Sequence, residues 1–544
     1  LLQESYLGKV KLIYIDPPYN TGNDFIYRDD FRESTREYLL RSGQVDEDGT
    51  RLVANPESNG RFHSDWLTMM YPRLKLARNL LREDGIICVS IDDHEVDNLT
   101  KLMSEVFGRD GFISTLPRVT KRAGKSGDLI AANHDYLVIW GRTRNVSLNR
   151  QEHTDAGFKH VDEYSPVRGN YKLNQTLDYG SIQYSRSLDY EIEIDGLVLR
   201  PGGATVEEMQ VRQEQNPKTG WCWRWSRDLF EFGKRNGFVV VKEGREGPRI
   251  YTKTYERATI EKTGDSYTVA LRPRTRAFTS LDLTDNRFSN DGATKGIRSL
   301  FGYTAFDYTK PVELLTTIIE MATNPQSHDI VVDLFAGSGT TGHAVHAANA
   351  NDNGNRRFIL VQLDELVDSS SDAASRGFTT ISELSRERLR LASHSVSTSG
   401  TLATPNADVD LGFRALRVDS SCFKPIPRPT DQTTQTILLD GVETILPDRT
   451  EDDLMFEVLI RWGLDLSSPL SRESILGQTV LTALDGDVMA IFEFTVSMPV
   501  LSRIAALRPL RVVLRSSAFK DDAQRINVEQ LFSSASKETD VSVV

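Results

Sequence analysis

The 544-residue sequence has few cysteines, no long apolar run and no excess of basic residues, and each of these features argues against a class of protein. The three cysteines, Cys88, Cys222 and Cys422, lie far apart, which argues against a disulfide framework or a zinc cluster and favours a reducing, cytoplasmic environment. No stretch approaches the roughly 18 consecutive apolar residues of a membrane helix, so we expect no membrane partner. The net charge of −12 excludes a protein that coats nucleic acid non-specifically, but a local cluster of basic residues can still bind it.

The apolar residues that are present indicate an α/β organisation over two separate stretches. Runs such as Lys11–Ile15, Gly85–Asp92 and Asp135–Gly141, separated by helical periodicity, are typical of a parallel sheet that is covered on both faces. The pattern weakens after about residue 142 and resumes near Pro311, which predicts an inserted domain. Residues 392–410 are rich in serine, threonine and alanine and indicate a flexible linker.

These changes of pattern predict five segments along the chain. They are 1–141, the first half of an α/β domain; 142–300, an inserted mixed domain; 301–395, the second half of the α/β domain; 396–430, a linker; and 431–544, a small α+β domain. Since the sequence does not begin with Met and a strand is already expected at Lys9, we also expect that an N-terminal piece precedes Leu1.

The first candidate site is the stretch "DPPY", Asp16–Tyr19, at the end of the first predicted strand. Asp16 supplies a carboxylate, Pro17 a carbonyl that two successive prolines hold rigidly, and Tyr19 a flat ring. Two such acceptors can draw the hydrogens of a nucleobase amine out of the ring plane, so that the nitrogen lone pair points at an electrophile. The ring of Tyr19 can stack on a base that has swung out of a duplex. The alternative is an ordinary Pro-Pro turn after a strand.

The second candidate site is "DLFAGSGTTG", Asp333–Gly342, between a predicted strand and a predicted helix. Gly337, Gly339 and Gly342 have the spacing of a turn that lets a ligand approach the backbone at a helix N-terminus. The dipeptide His-Ala follows where a phosphate-binding P-loop requires lysine and then serine or threonine, which argues against a P-loop. A dinucleotide-binding fold and a purely structural turn remain open for this stretch alone. If the turn holds a sulfonium methyl donor, the reaction needs no metal and no covalent intermediate.

Together, "DPPYNTG" and "DLFAGSGTTGHAV" resemble the motifs of DNA methyltransferases that act on amino groups with S-adenosylmethionine as cofactor. The order of the motifs, catalytic before cofactor-binding, is similar to the circularly permuted β-type of this family. Further stretches, including "NHDYLVIWG" and "FDYTKPVELL", resemble the modification (Mod) subunit of Type III restriction–modification systems. The resemblance implies a Rossmann-like α/β sheet, an inserted mixed α/β target-recognition domain and a small C-terminal α+β domain for subunit interaction.

The resemblance also implies roles for individual residues. Asp16, Pro17, Pro18 and Tyr19 would be the catalytic motif. The implied cofactor-binding residues lie in the glycine turn, in the segment that packs beside the methionine part of the cofactor, and after the next strand. They are Asp333, Phe335, Gly337, Ser338, Gly339, Thr340, Thr341, Lys310, Pro311, Gln362 and Asp364. Gln362 replaces the acid that usually holds the ribose, so this role belongs to Gln362, Asp364 or Glu365. No metal is implied.

The function implied by the resemblance is methylation of adenine N6 in double-stranded DNA after base flipping. An aspartate rather than a serine at the first catalytic position favours adenine N6 over cytosine N4. A basic loop would grip backbone phosphates beside the catalytic cleft, through Arg118, Lys121, Arg122 and Lys125. The family implies a cytoplasmic homodimer that pairs with a helicase–nuclease restriction subunit. The alternatives are cytosine-N4 methylation, a DNA-recognition subunit without catalysis, and methylation of RNA or of protein glutamine.

Overall fold

A computed structural model of the protein describes residues 1–21, 62–122, 129–152, 157–180, 183–244, 247–306, 308–398, 409–424 and 445–544. Lys125 and much of the predicted linker 396–430 lie outside these residues. The chain forms two compact units: Leu1–Leu148 with Ser280–Val544, and Asn149–Thr279. No helix in the described residues has the length and hydropathy needed to span a bilayer.

The first part of the chain builds one side of an α/β sheet. Its strands are β1 (Val10–Ile15), β2 (Leu81–Ile91), β3 (Phe112–Val119) and β4 (His134–Gly141). Its helices are α1 (Leu2–Tyr6), α2 (Phe62–Leu80) and α3 (Val96–Phe107). Strand β1 is buried along its whole length, and α2 covers the sheet with Trp66, Met70 and Leu74, which are spaced for one helical face.

The second unit, Asn149–Thr279, lies within the stretch 142–300 that was predicted to be an insert. Its strands are short and mostly antiparallel: β5 (Gln151–Glu152), β6 (Tyr171–Thr176), β7 (Asp178–Tyr179), β8 (Ile192–Ile194), β9 (Leu197–Leu199), β10 (Cys222–Trp223), β11 (Val239–Gly244), β12 (Gly247–Tyr255), β13 (Ala258–Thr263), β14 (Ser266–Leu271) and β15 (Thr275–Arg276). Its helices are α4 (Ser165–Arg168), α5 (Val206–Gln215) and α6 (Arg227–Arg235). The core contains Trp223, Phe230 and Ile250.

The chain then returns to the first unit and completes its sheet. The added strands are β16 (Ile330–Asp333) and β17 (Arg357–Leu360), and the helices are α7 (Asn290–Phe301), α8 (Val312–Ala322), α9 (Thr340–Asp352), α10 (Asp372–Ser375) and α11 (Ile381–Thr398). The strand order is β17-β16-β1-β2-β4-β3, and the first four strands are parallel. The predicted α/β fold with a parallel sheet is therefore confirmed.

One strand of this sheet departs from the predicted parallel arrangement. Strand β4 runs antiparallel to both β2 and β3. Thr120, directly after β3, donates its N–H to the carbonyl of Asn133, directly before β4, at 2.9 Å. This hydrogen bond continues the antiparallel ladder of the two strands beyond Val119 and His134.

The C-terminal part of the first unit is a second, smaller sheet with helices. It contains α12 (Glu451–Arg461), β18 (Leu470–Ile475), β19 (Gln478–Ala483), β20 (Val488–Ile491), α13 (Met498–Leu507), β21 (Arg511–Leu514), α14 (Asp522–Ala535) and β22 (Asp540–Val543). Strands β18 to β20 are antiparallel and β20 to β22 are parallel. Asp465 joins this part to the α/β sheet, since it accepts a 2.9 Å hydrogen bond from Tyr6 and pairs with Arg357 at 2.5 Å.

Candidate active site

The two candidate motifs follow neighbouring strands of the sheet. Strands β1 and β16 are paired in parallel, with Tyr14 opposite Asp333. The segments that follow them, "DPPY" and the glycine turn, therefore leave the sheet at the same edge. Ligand sites of open α/β sheets lie at this carboxyl edge of the strands.

Lys310 connects the catalytic motif with the cofactor motif. Its Nζ lies 2.6 Å from Asp16 Oδ1, although the two residues are 294 positions apart, and it donates to the Tyr19 hydroxyl at 2.8 Å. The neighbouring residue Thr309 forms hydrogen bonds with Ser338 at 2.9 Å and with Thr340 at 3.2 Å. The segment around Lys310 thus contacts "DPPY" on one side and the glycine turn on the other.

A buried ion pair supports the ring of Tyr19. The Tyr19 hydroxyl donates to Asp135 Oδ2 at 3.1 Å, and Arg118 donates to Asp135 Oδ1 at 2.7 Å through Nε and also pairs with Oδ2. Burial, with the negative charges of Asp16 and Asp135, raises the pKa of Tyr19 well above its ordinary value, so the hydroxyl stays protonated. Neither Asp135 nor this ion pair was foreseen from the sequence, where an aspartate that opens an apolar strand was the available signal.

The structure corrects the prediction that Arg118 contacts DNA phosphates. Arg118 lies on strand β3 rather than in a loop, is only 1% exposed, and also donates to the Phe288 carbonyl at 2.9 Å. A guanidinium that is buried and paired with a carboxylate is not available to a phosphate. Lys121 and Arg122 follow β3, where Lys121 is half-buried and Arg122 is exposed.

Two contacts hold the "DPPY" loop in place. Trp66 Nε1 on α2 donates to the Pro18 carbonyl at 2.7 Å. Asn20 adopts φ 63° and is 1% exposed, and its amide donates to the buried Glu95 carboxylate at 2.6 Å. His63 Nδ1 lies 2.6 Å from the same Glu95 oxygen. Sequence reasoning missed Trp66 and Glu95, because their partners are distant in the chain and no local pattern marks them.

The glycine turn leads from β16 into α9 around a buried carboxylate. Asp333 accepts hydrogen bonds from Thr341 Oγ1 at 2.6 Å and from the Phe335 N–H at 3.0 Å. Burial raises the pKa of Asp333 to about 7, those two hydrogen bonds oppose the rise, and the charge of Asp16 adds to it. Asp333 ends β16 and Asp16 follows the paired strand β1, so the two candidate motifs lie at one edge of the sheet.

Glycine is required in this turn for two different reasons. Gly337 and Gly339 have φ values of 49° and 74°, in the left-handed region that other residues rarely adopt. At Gly342, an added Cβ would lie 2.7 Å from the Leu389 side chain, so this glycine allows α9 to pack closely against α11. The backbone of the turn is thereby shaped to approach a ligand at the N-terminus of α9.

The remaining predicted cofactor residues are not equally close to the turn. Gln362 Oε1 accepts a 2.7 Å hydrogen bond from the Gly337 N–H, so Gln362 contacts the turn directly. Asp364 is exposed and lies 3.8 Å from Arg417. Pro311 is buried and directly precedes helix α8, which fixes the position of Lys310. Within the described residues, no group of three or more histidine, cysteine, aspartate or glutamate side chains is placed to hold a metal ion.

Comparison with known proteins finds relatives that are Mod subunits of Type III restriction-modification enzymes or a Type II methyltransferase. The Mod subunit of the Type III restriction-modification enzyme EcoPI from Escherichia phage P1 is 29% identical over 499 residues, which are 87% of this chain and 71% of that protein. The StyLTI Mod subunit from Salmonella typhimurium is 31% identical over 443 residues, 79% of this chain and 59% of that protein. The Type II methyltransferase M.KpnI from Klebsiella pneumoniae is 27% identical over 401 residues, 71% of this chain and 82% of that protein.

Among solved structures, this chain is similar to the cytosine-N4-specific PvuII DNA methyltransferase. The alignment covers 72% of this chain and 89% of that protein, at 11% identity and a TM-score of 0.30. The sequence profile of the DNA methylase family, which comprises N6 and N4 methylases, matches residues 10–371. That range includes both candidate motifs and most of the sheet that brings them together. The chain therefore belongs to the DNA methylase family.

Proposed function

We propose that this protein transfers a methyl group from S-adenosylmethionine to the N6 amino group of adenine in duplex DNA, as the modification subunit of a Type III restriction–modification system. The observation that carries the proposal is the position of Lys310, which links Asp16 and Tyr19 to the segment beside the glycine turn. Family membership supplies the reaction class, and the Mod subunits among the relatives supply the biological setting.

Asp16 and Pro17 act on the target amine. The carboxylate of Asp16 and the carbonyl of Pro17 accept its two hydrogens, while the Pro18 carbonyl is already engaged by Trp66. Withdrawal of both hydrogens from the plane of the base reduces conjugation and frees the nitrogen lone pair. Lys310 occupies Asp16 Oδ1 in this structure, so the incoming amine either uses the other carboxylate oxygen or displaces the ammonium group.

Tyr19 stacks on the flipped base. Its hydroxyl is held by Asp135 and Lys310, which fixes the ring while part of the side chain remains exposed. Aromatic stacking is the usual way in which a base outside the duplex is held, and it contributes about 1–3 kcal/mol per base. The chain thus provides both an acceptor pair for the amine and a surface for the ring of the base.

The residues of the glycine turn fit the proposed cofactor. An added Cβ at Gly337 would meet only the Phe335 carbonyl, at 3.8 Å, so space is open above the turn. S-adenosylmethionine supplies an electrophilic methyl group on a positively charged sulfur. Gln362 orients the turn through Gly337, and we propose that it or Asp364 contacts the ribose.

The partners in this proposal are duplex DNA, a second copy of the chain and a restriction subunit, in the cytoplasm. The second unit, Asn149–Thr279, is proposed to recognise the target sequence, and Lys121 and Arg122 are proposed to contact phosphates near the site. The C-terminal part is proposed to contact other subunits. Support for the restriction subunit comes from the names of the relatives, which are Mod subunits of Type III enzymes.

The proposed function predicts that duplex DNA incubated with the protein and methyl-labelled S-adenosylmethionine yields N6-methyladenine after digestion to nucleosides. Asp16→Ala should lower the rate at least about 100-fold, because one of the two amine acceptors is lost. Asp110→Ala is the matched control. Asp110 lies just before β3, at the opposite edge of the sheet, and its exposed carboxylate pairs with Arg144. The absence of labelled adenine with the wild-type protein, or N4-methylcytosine in its place, would contradict the proposal.

A further inference from the structure

Asn20, the residue directly after Tyr19, has an unfavourable backbone conformation. Its φ of 63° lies in the left-handed region, where a side chain crowds the backbone, although asparagine tolerates this better than most residues. Among the described non-glycine residues with a positive φ, Asn20 alone is buried, and the others lie at exposed or half-buried positions. Such a conformation persists only where the surrounding contacts hold it, and it is concentrated at functional sites.

The contact that holds Asn20 comes from Glu95, at the N-cap of α3. Asn20 Nδ2 donates to Glu95 Oε1 at 2.6 Å, and His63 Nδ1 lies 2.6 Å from the same oxygen. The other carboxylate oxygen accepts from Asn98 Nδ2 at 2.8 Å. Glu95 is fully buried, and a buried carboxylate is stable only where hydrogen bonds satisfy its oxygens. Hydrogen bonds to an ionised group are also the stronger ones, so the carboxylate is suited to hold a strained residue.

Tyr19 lies between two residues that are anchored to different helical regions. The Pro18 carbonyl before it accepts from Trp66, and Asn20 after it is bonded to Glu95. A change of φ at Asn20 rotates the chain before it relative to the chain after it. Loss of the second anchor would therefore turn the ring of Tyr19 and the carbonyl groups of the loop together.

We propose that Glu95 is a positioning residue for methyl transfer. It holds Asn20 in the left-handed conformation and so keeps the Pro17 carbonyl and the Tyr19 ring aimed at the target base. The inference rests on the proposed function, since it is the adenine amine that these two groups serve. The three hydrogen-bond partners of Glu95 given above lie after "DPPY", in α2 and in α3, and none of them is in the glycine turn. Glu95 therefore governs the rate of transfer and leaves cofactor binding unchanged.

The competing explanation is that Glu95 only stabilises the start of α3 and its packing against α2. Its loss would then reduce the fraction of folded protein, and the molecules that still bind cofactor would transfer methyl groups at the normal rate. Substitution of Asn98, the partner of Glu95 within α3, would have the same effect. The rate per bound cofactor separates the two explanations.

The experiment measures single-turnover methylation of duplex DNA by the full chain, with the rate divided by the number of sites that bind labelled S-adenosylmethionine. Glu95→Met should lower this rate about 10- to 100-fold, because the groups that contact the base lose their alignment, while the Kd for the cofactor changes less than about twofold. Glu95→Gln keeps an oxygen that can accept from Asn20 and should stay within about threefold of wild type. Asn98→Ala is the matched control and should leave the rate within about twofold.

A double-mutant cycle tests whether Glu95 acts through Asn20. Asn20→Gly removes the amide but still allows the left-handed conformation, and we expect it to lower the rate about 10-fold. Adding Glu95→Met to Asn20→Gly should lower the rate by less than about threefold more, because the contact is already lost. Fully additive effects, or a normal rate per bound cofactor in Glu95→Met, would overturn the proposal and leave the proposed function intact.

Asn20→Ala provides a further variant in case Glu95→Met does not fold. Alanine also lacks the amide but disfavours the left-handed region, so this variant should be slower than Asn20→Gly by about 5-fold or more. Equal rates of the two variants would show that the conformation of Asn20 does not matter for transfer, and the proposal would fall. If the wild-type protein binds S-adenosylmethionine but methylates no DNA, the proposed function itself fails.

Discussion

Buried charge is arranged differently in the α/β sheet of the first unit and in the second unit. Among the described residues of the second unit, the buried carboxylates of Asp189 and Asp178 are paired, Asp189 with Arg212 at 2.8 Å and Asp178 with Arg249 at 3.0 Å. Arg168 is stacked on the rings of Tyr164, Phe238 and Tyr255, with its guanidinium carbon 4.0, 4.8 and 5.3 Å from the ring centres.

In the first unit, the described buried ionisable groups include ion pairs such as that of Arg118 and Asp135, but also groups without an ionic partner. Among the described residues, Asp333 has no cationic partner and Arg388 has no carboxylate partner. His343 Nδ1 and His346 Nε2 have no hydrogen-bond partner there either. Groups whose pKa is perturbed by burial without a compensating partner concentrate at functional sites. Both units thus contain buried ion pairs, but Asp333 beside the glycine turn lacks one, and this marks the turn, at the carboxyl edge of the sheet, as the candidate for ligand chemistry.

The sharpest test of the role of this edge is Lys310→Met. We expect the substitution to lower the single-turnover methylation rate by about 100- to 1,000-fold, because Asp16 and Tyr19 lose the group that joins them to the cofactor segment. Binding of S-adenosylmethionine should change by less than about fivefold. Lys295→Met, at an exposed position on α7, is the control for loss of one positive charge. Unchanged methylation with Lys310→Met would show that the link is not used in catalysis.

In the second unit, loss of a buried charge should lower stability and leave cofactor binding unchanged. Arg168→Ala removes the stacking on three rings and a 2.6 Å hydrogen bond to the Asn236 carbonyl, and we expect it to destabilise this unit by about 2–4 kcal/mol. Hydrogen exchange of β6 and β12 should accelerate accordingly. S-adenosylmethionine should bind as it does to wild type, and Arg186→Ala, at an exposed position, should have no effect. A loss of cofactor affinity in Arg168→Ala would contradict a structural role of Arg168 that is confined to this unit.

The sequence predicted the α/β sheet and the family because both depend on local patterns. Continuous apolar runs mark buried parallel strands, and "DPPY" and the glycine turn are short motifs that can be recognised without partners. The strand order was not predicted, and it is the pairing of β1 with β16 that brings the two motifs to neighbouring strands. The short strands of the second unit have no comparable periodicity, and their pairings could not be predicted.

The contacts that the sequence did not predict join residues far apart in the chain. Arg118 was grouped with Lys121 and Arg122 because they are close in sequence. In the structure its buried side chain is paired with Asp135, which lies 17 positions away on the neighbouring strand. Glu95 and Trp66 support the "DPPY" loop from two different helical regions. Local charge patterns do not show which basic residue has a carboxylate partner in the folded chain, and this limits any assignment of DNA contacts from sequence.

The smallest expected effect concerns the buried histidines of α9 and the pH dependence of stability. Burial lowers the pKa of His346 to about 4 and that of His343 to about 3, from about 6.5 in an unfolded chain. The unfolded state thus binds more protons, so stability is complete above about pH 6.5 and falls as the pH drops toward 4. Asp333 acts in the opposite sense: its raised pKa adds stability below about 3.8 that is lost as the pH rises through 7.

His346→Leu isolates the histidine contribution, because it removes one of these groups and leaves Asp333 in place. Between pH 7 and pH 5 the wild-type protein should lose about 2 kcal/mol of local stability more than the variant does. Hydrogen exchange of α9 measures this difference, and His394→Leu, at an exposed position on α11, is the control. The same pH dependence in His346→Leu and wild type would mean that folding does not lower the pKa of His346. His346 would then no longer count among the buried groups of the first unit that lack a compensating partner.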